Sequence, residues 1–353
     1  MLRQNHCLFL SVFLGIMFLS SCERTDNENP TNNRESIVIE NLELFSDFDR
    51  HGLVRPVQIE TLPNGNVAVL DNQTNKVHIL DINGKIITSF GGEGRGPCES
   101  LSAMQLQISD EAIYVVDSNQ RRINQFNHEG GCVQSFNFDT GIFRSYVTVK
   151  DSESYFTMSM GKNGALVRLV DLHGDSTYYF GEAMGKEYRP GDLEVERRTL
   201  QRGGIPDLMK NEITKYFSDD HLYVFLNVYS RLQKYTEQGD LLWDQEIDMP
   251  VNEAIFEKVV ERAHEPESQG GVPVLRYILS MKVVDDQPYL LWYPVDDYPQ
   301  HLVKTNKDGD LETIFDIRND EFVFFDFTLD SRNNILYLID SETSQIYRTK
   351  MPA

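Results

Sequence analysis

Basic residues are scarce in this chain. Its 353 residues include 33 lysines and arginines against 55 aspartates and glutamates, which gives a formal net charge of -22 at pH 7. A field of that sign repels phosphate backbones, so the composition argues against nucleic acid as a partner. The same charge favours a soluble, monomeric domain and places no constraint on the fold.

Cysteine is also rare, and the familiar catalytic signatures are missing. Four cysteines are too few for a disulfide scaffold, and the eight histidines are scattered without metal-ligand spacing. The sequence contains no Gly-x-Ser-x-Gly elbow, phosphate-binding loop or Cys–His signature. The glycine-rich run 91–96 precedes no helix pattern, so it does not qualify as a phosphate loop. The missing signatures favour a protein that is not an enzyme, and we predict neither catalytic residues nor a metal site.

The apolar run at the N-terminus is too short to cross a membrane. Leu8–Leu19 has twelve residues, whereas a helix needs about 20 to span ~30 Å of hydrocarbon. With Arg3 before it and Leu19-Ser-Ser-Cys22 after it, the run is typical of a bacterial lipoprotein signal peptide over residues 1–21. The Cys22 thiol would then carry the acyl lipid. The alternative is a plain secretory signal followed by a chance cysteine.

Residues 22–35 contain no apolar residue after the cysteine. Such a stretch cannot bury a core, so we predict a flexible tether between the anchor and a domain over residues 36–353. The leader and tether together predict a lipid-anchored protein of the bacterial cell envelope. The outer membrane is the favoured location, with surface exposure as a further option.

Internal repetition dominates the rest of the chain. In residues 57–90, four short alternating runs are separated by turn residues, which predicts one antiparallel blade of four strands. The end of the second strand recurs at six positions: Asp71, Asp117, Ser159, Asn227, Tyr293 and Asp340. The glycine before the fourth strand recurs too, at Gly84, Gly130, Gly174, Gly239 and Gly309. Because a blade takes ~40–45 residues, this spacing predicts six blades, with insertions after two of them.

The two ends of the chain complement each other. The last repeat, within 322–350, shows only three strands, while Ile37–Phe45 forms a strand pattern with no blade of its own. Placed as the outer strand of blade six, this segment would satisfy an otherwise open sheet edge. We therefore predict an all-β fold, a six-bladed β-propeller closed by its N-terminal strand.

The repeats resemble a known family. The run Phe90–Pro97 (FGGEGRGP) resembles the linker of NHL repeats, and IYVVDS and LYLIDS resemble their core strand. With its lipobox and closing strand, the whole chain is similar to a group of bacterial six-bladed propeller lipoproteins. That resemblance implies the propeller fold but no assigned activity. Blades three to five depart from it, because they lack the linker motif.

Strand order assigns each connection to one face of the propeller. Both insertions, at about 181–212 and 249–278, are blade-to-blade linkers, so they project from the same face, which we predict to be the recognition surface. The second contains a helix pattern that Asn252 could cap, and this helix either packs on the rim or docks a partner. The first carries three arginines that form either an anion site or a self-paired, solvated helix: Arg197, Arg198 and Arg202.

The same assignment separates the two remaining cysteines. Cys98 lies in the first blade-to-blade linker, and Cys132 begins a fourth strand beside the opposite face. A disulfide needs Cα atoms within ~7 Å, so we predict that both are free or buried thiols.

The innermost strands should line a central channel. Its predicted polar lining, and the candidate binding site, is Gln58, Gln105, Thr214, Lys282 and Asp326. Related propeller enzymes hold a channel calcium with carboxylate and amide oxygens, a set that these positions do not reproduce. The leading hypothesis is therefore a binding or scaffold module for a glycan, peptide or partner protein, without a cofactor. The alternative is a calcium-dependent lactonase-type hydrolase or lyase.

Overall fold

The computed structural model describes residues 36–138, 147–171, 177–188, 191, 193–265, 271–318 and 322–352. The predicted leader, Cys22 and the tether lie outside the described residues. Two strands, β1 (Ile37–Ile39) and β2 (Glu43–Ser46), begin the described chain, and helix α1 (Phe48–His51) follows them. The Asp47 carboxylate caps α1 by accepting the Arg50 N–H at 2.7 Å, and Gly52 ends the helix in a left-handed conformation.

The strands form six sheets, one for each blade, of which five have four strands and that of blade five has five. Blade one comprises β3 (Pro56–Thr61), β4 (Val67–Asp71), β5 (Lys76–Leu80) and β6 (Ile86–Gly91). Blade two comprises β7 (Ala103–Ile108), β8 (Ile113–Asp117), β9 (Arg122–Phe126) and β10 (Cys132–Asn137). Blade three comprises β11 (Thr148–Val149), β12 (Ser154–Met158), β13 (Ala165–Asp171) and β14 (Thr177–Glu182). Helices α2 (Leu193–Gln201) and α3 (Asp207–Lys210) then precede blade four: β15 (Ile213–Ser218), β16 (His221–Leu226), β17 (Arg231–Thr236), β18 (Leu241–Glu246). Helix α4 (Val251–His264) precedes blades five and six: β19 (Ile278–Val284), β20 (Gln287–Trp292), β21 (Gln300–Thr305), β22 (Leu311–Ile317); β23 (Phe324–Asp330), β24 (Ile335–Asp340), β25 (Ile346–Lys350).

The N-terminal segment closes the propeller, but as two strands. β2 pairs antiparallel with β25 and completes blade six as predicted, with Leu44 opposite Tyr347. β1 instead pairs in parallel with β22, with Ile37 opposite Phe315, and adds a fifth strand to blade five. The prediction of one continuous strand over Ile37–Phe45 was therefore wrong. Residues 40–42, between β1 and β2, carry the chain from one blade to the next.

In the blades whose second strand ends in aspartate, that side chain fastens the strand to its surroundings. The Asp71 carboxylate accepts the N–H groups of Gln73 and Thr74 in the following turn and that of Val54 in the preceding segment. Asp117 does the same for its own turn and for the linker residue Leu101. The repeat is thus a hydrogen-bonding device, because a buried carboxylate satisfies several turn N–H groups at once.

The turn glycines allow neighbouring blades to approach closely. A Cβ on Gly84 would lie 2.3 Å from the Phe45 carbonyl oxygen of the closing strand, and its φ of +82° already disfavours other residues. The glycines of three later blades meet an aromatic ring of the preceding outer strand in the same way: Gly130 with Phe90, Gly239 with Phe180 and Gly309 with Trp243. Gly174 lies outside the described residues.

The two cysteines form a disulfide, which overturns our prediction of separate thiols. The Cα atoms of Cys98 and Cys132 are 5.8 Å apart. The linker contacts the outer strand of blade two here, where the Cys98 N–H donates to the Ser135 hydroxyl at 2.9 Å. Cys98 itself is buried with Phe90 and Phe126 between the first two blades. Assigning connections to faces did not account for a linker that descends between blades.

Candidate functional site

Side chains of the inner strands bridge one blade to the next around the channel. The Gln58 amide oxygen accepts the Leu106 N–H, and the Gln105 oxygen accepts the Val147 N–H at 3.0 Å. Gln107 exchanges two hydrogen bonds with the backbone of Val149, at 2.6 and 2.8 Å. These amides replace the ladder hydrogen bonds that separate sheets cannot form, so they stiffen the channel wall.

Polar and charged side chains from four inner strands meet in the channel, and we call this cluster the waist: Glu60, Tyr216, Ser280, Lys282 and Asp326. The Lys282 Nζ lies 2.6 Å from Glu60 Oε1 and 3.5 Å from Asp326 Oδ1. Glu60 is 5% exposed as a residue, and Lys282 and Asp326 are each 3% exposed. The Asp326 carboxylate also accepts the Ile59 N–H at 2.9 Å and the Ser280 hydroxyl.

Burial and neighbouring charges shift the pKa values of three waist residues, Glu60, Lys282 and Tyr216. Burial raises the pKa of Glu60 to about 6, although the neighbouring Lys282 ammonium opposes that rise. For Lys282, the two carboxylates outweigh the effect of burial and raise the pKa. Burial also raises the pKa of Tyr216, whose hydroxyl faces Glu60 Oε2 at 3.5 Å. Lys282 lies within ion-pair distance of both carboxylates, which offsets part of the cost of burying charge here.

Two cavities flank the waist. The linker-side cavity, of about 290 Å³, lies among the starts of the inner strands, on the face from which the insertions project. The turn-side mouth, of about 740 Å³, lies among the turns between first and second strands. Eight acidic residues line the turn-side mouth, against three basic ones: Glu60, Asp110, Glu111, Asp151, Asp219, Asp220, Asp285 and Asp330 against Lys150, Lys282 and Arg332. The channel is therefore strongly acidic on the turn side.

All five channel residues predicted from the sequence line the linker-side cavity: Gln58, Gln105, Thr214, Lys282 and Asp326. Sequence reasoning missed Glu60, Gln107 and Tyr216, each two positions after a predicted residue. The two-residue period of a strand could have found them, since alternate side chains point to the same side. Lys215 and Arg276 also line this cavity and were missed, because neither follows that alternation.

Helices α2, α3 and α4 lie in the two insertions and pack together against blades four and five, and we call them the insertion ledge. Leu200 of α2 and Ile255 and Val259 of α4 are buried in one core with Trp292 of blade five. The Gln201 side chain donates to the Ala263 carbonyl at 2.7 Å and ties α2 to α4. Of the two interpretations left open, packing of the helix on the rim is the one that this geometry supports.

Two details of the ledge differ from the sequence prediction or refine it. Asn252 does not cap α4: the cap position is Pro250, and the Asn252 side chain lies inside the first turn, where it accepts the Trp292 indole N–H at 2.9 Å. Arg197 and Arg198 both pair with Glu194, as expected of a self-paired helix. Arg202 follows the end of α2, and its N–H donates to Arg198 and Thr199 carbonyls.

The described residues contain no group of three or more His, Cys, Asp or Glu side chains placed to hold a metal ion. At Asp326, the predicted channel carboxylate, both oxygens already accept hydrogen bonds. Among the described residues, no helix is long and apolar enough to cross a membrane.

The fold places the chain in the class of six-bladed β-propellers. The model of the DUF5128 family, a 6-bladed beta-propeller, matches residues 49–198. A DUF4221 family member from Bacteroides vulgatus is similar in structure, with a TM-score of 0.58 and 12% identity over 90% of this chain and 99% of that one. The resemblance to bacterial six-bladed propellers is thus confirmed.

Two other solved structures are similar at the same identity. One is a Bacteroides fragilis protein named as exported, with a TM-score of 0.52 over 89% of this chain and 98% of that one, at 12% identity. Another is the Staphylococcus aureus virginiamycin B lyase with quinupristin, with a TM-score of 0.50 over 88% of this chain and 99% of that one, at 12% identity. Likenesses at this identity concern the fold alone. No curated protein matches the chain in sequence.

Proposed function

We propose that this protein is an exported, lipid-anchored binding module that presents the insertion ledge to a glycan, a peptide or a partner protein. The main observation in support of this proposal is that both insertions pack on the propeller through one continuous apolar core. A preorganised surface loses little conformational entropy on binding, which favours recognition by the ledge. The Cys98–Cys132 disulfide supports export, since disulfides persist in oxidising compartments.

The waist supports binding over catalysis. Glu60 and Asp326 are engaged by Lys282, by hydroxyl groups and by a backbone N–H, so their oxygens already serve the fold. The calcium-dependent alternative would require breaking these contacts, since calcium takes 6–8 oxygen ligands. We therefore place the recognition surface outside the channel wall.

The ledge can be tested in intact cells. A photocrosslinking residue at Val195, which is 57% exposed on α2, should capture a discrete set of adducts. The matched control is Val133, which is 55% exposed on the outer strand of blade two. A glycan array probed with the detergent-extracted full chain and its Val195→Glu variant should separate glycan from protein partners. Equal adducts from both positions, with no array signal, would refute a binding ledge.

The anchor needs its own experiment. Metabolic labelling with an alkyne fatty acid should label the wild-type chain and leave the Cys22→Ala variant unlabelled, because Cys22 is the predicted acylated thiol. Wild-type chain that stays unlabelled and is released in soluble form would identify a plain secretory signal instead.

A further inference from the structure

We infer that the linker-side cavity is a binding site for a small uncharged amide. The site lies inside the channel and does not depend on the ledge surface proposed above. Its volume of about 290 Å³ stands at the low end of the ~300–1,000 Å³ typical of small-molecule pockets, which favours a ligand of few atoms. Three features of its wall support an uncharged ligand: apolar residues at bulges, unused amide N–H groups, and charges that already have partners.

An extra residue enters the inner strand at the same place in four blades. In blade one, Val57 has no residue opposite it, because Pro56 and Gln58 pair with consecutive residues of β4. The same shift of register leaves an extra residue in blades two, five and six. All four extra residues are apolar and line the linker-side cavity, and we call them the collar: Val57, Met104, Leu279 and Phe325.

These bulges turn two consecutive side chains toward the cavity. In a regular strand, neighbouring side chains point to opposite faces of the sheet. Here each collar residue lines the cavity together with the polar residue that follows it: Gln58, Gln105, Ser280 and Asp326. A bulge re-aims a side chain at the expense of regular pairing, and bulges are frequent next to active sites. Their repetition in four blades indicates a wall built to combine apolar and polar contacts.

Two amide groups of this wall have donors to spare. The side-chain oxygens of Gln58 and Gln105 are fixed as acceptors, because each receives a backbone N–H, from Leu106 and Val147 respectively. The NH₂ group is therefore the other end of each amide, and neither NH₂ donates to any residue that the structure describes. An acceptor oxygen on a ligand would use these donors.

The charged side chains of the wall are already engaged. Lys282 lies within ion-pair distance of both waist carboxylates. Arg276 pairs with Glu212, and Lys215 has a partner as well. A charged ligand would lose its hydration here without gaining a free counter-ion, whereas an uncharged one loses much less. The wall therefore selects against anions and cations alike.

An amide with a short alkyl chain matches the groups that remain. Its carbonyl oxygen can accept from the NH₂ groups of Gln58 and Gln105, and its alkyl chain can contact the collar. The Thr214 hydroxyl, which also lines the cavity, donates to Asn227 Oδ1 at 3.0 Å. The oxygen of that hydroxyl can therefore accept an N–H of the bound amide.

The test uses the full chain, extracted in a maltoside detergent, with isotope-labelled methionine methyl groups. Titration with butyramide should shift the methyl resonance of Met104, a collar residue, until it saturates. The methyl resonances of Met209 and Met249, which are buried in the ledge core, should stay in place. Butyrate and butylammonium, ions of similar size, should bind at least about 10-fold more weakly, because the wall offers them no free counter-ion.

Gln58→Glu and Gln105→Glu isolate the amide donors. Each variant keeps the oxygen that accepts the backbone N–H and replaces the NH₂ group by a second oxygen. Each should weaken butyramide binding about 10-fold or more, because a donor becomes an unpaired acceptor. The control Gln73→Glu makes the same change of charge at an exposed turn position and should bind like the wild type. Thermal melting checks that each variant is folded, and the wild-type titrations need no substitution.

Three results would count against this site. A Met104 resonance that stays fixed throughout the butyramide titration would overturn it, whether or not the ledge methionines move. Butyrate that binds as tightly as butyramide would overturn the assignment to an uncharged ligand. Folded glutamate variants that both bind like the wild type would remove the two amides from it. None of these results involves crosslinking at the ledge, so failure here leaves the proposed function standing.

Discussion

Glu60 is the waist carboxylate whose charge depends most directly on pH. Burial raises its folded pKa to about 6, so the folded state binds a proton more readily than the unfolded chain does. Its contribution to stability is therefore greatest below pH 4.5 and is lost as the pH rises through about 6. The shift corresponds to about 2 kcal/mol of unfolding free energy.

We expect Glu60→Gln to remove that dependence. Urea unfolding at pH 5 and at pH 8 should give a difference in unfolding free energy that is smaller in the variant than in the wild type by about 1 kcal/mol, because at pH 5 only part of the full contribution is present. Glu111→Gln, at an exposed position of the turn-side mouth, is the control and should follow the wild type. The assignment to Glu60 fails if both variants keep the full difference.

At the scale of the element, strand β2 carries the closure of the propeller. Phe45 is 3% exposed and packs edge-on against Tyr337 of blade six, with ring centroids 4.8 Å apart. Phe45→Ala should lower the unfolding free energy by about 3–5 kcal/mol, because it empties the core between the closing strand and blade one. Phe48→Ala, three residues on and 63% exposed, should change it by less than about 0.5 kcal/mol. Equal losses in thermal or urea unfolding would show that the chain ends are not closed here.

The disulfide is the second element whose loss should be measurable. It joins the first linker to the outer strand of blade two across a sequence separation of 34. Cys98→Ser with Cys132→Ser should lower the unfolding free energy by about 2–4 kcal/mol, since the cross-link restricts the unfolded chain. Dithiothreitol should destabilise the wild type and leave the double variant unchanged. Reactive thiols at both positions in the denatured, unreduced protein would exclude the bond.

At the scale of the whole molecule, the charge of -22 makes cations stabilising in general. Sodium, magnesium and calcium should each raise the melting temperature by screening self-repulsion. We expect calcium to add no more than magnesium at matched ionic strength, because Lys282 occupies the position between the waist carboxylates. A dedicated calcium site filled at 100 times its Kd would add ~2.7 kcal/mol and several degrees. Stoichiometric calcium in the purified protein, with such a shift, would revive the lactonase-like alternative.

The sequence by itself determined the number of blades and their internal order. Asp71 and Asp117 accept hydrogen bonds from N–H groups of their own turns. The turn glycines adopt the positive φ that their hairpins require locally. Such features lie within a few residues of the strands that they organise, so a linear pattern records them. The five channel positions followed from the same reasoning, since inner strands recur once per blade.

Only the tertiary structure decided which side chains meet. Lys282 and Glu60 are 222 residues apart and belong to different blades, so no local pattern links them. The Cys98–Cys132 bond likewise depends on a linker that descends between blades, and the split of β1 from β2 depends on a free edge at β22. Local periodicity specifies strands and turns, whereas the contacts between blades depend on how the closed ring packs.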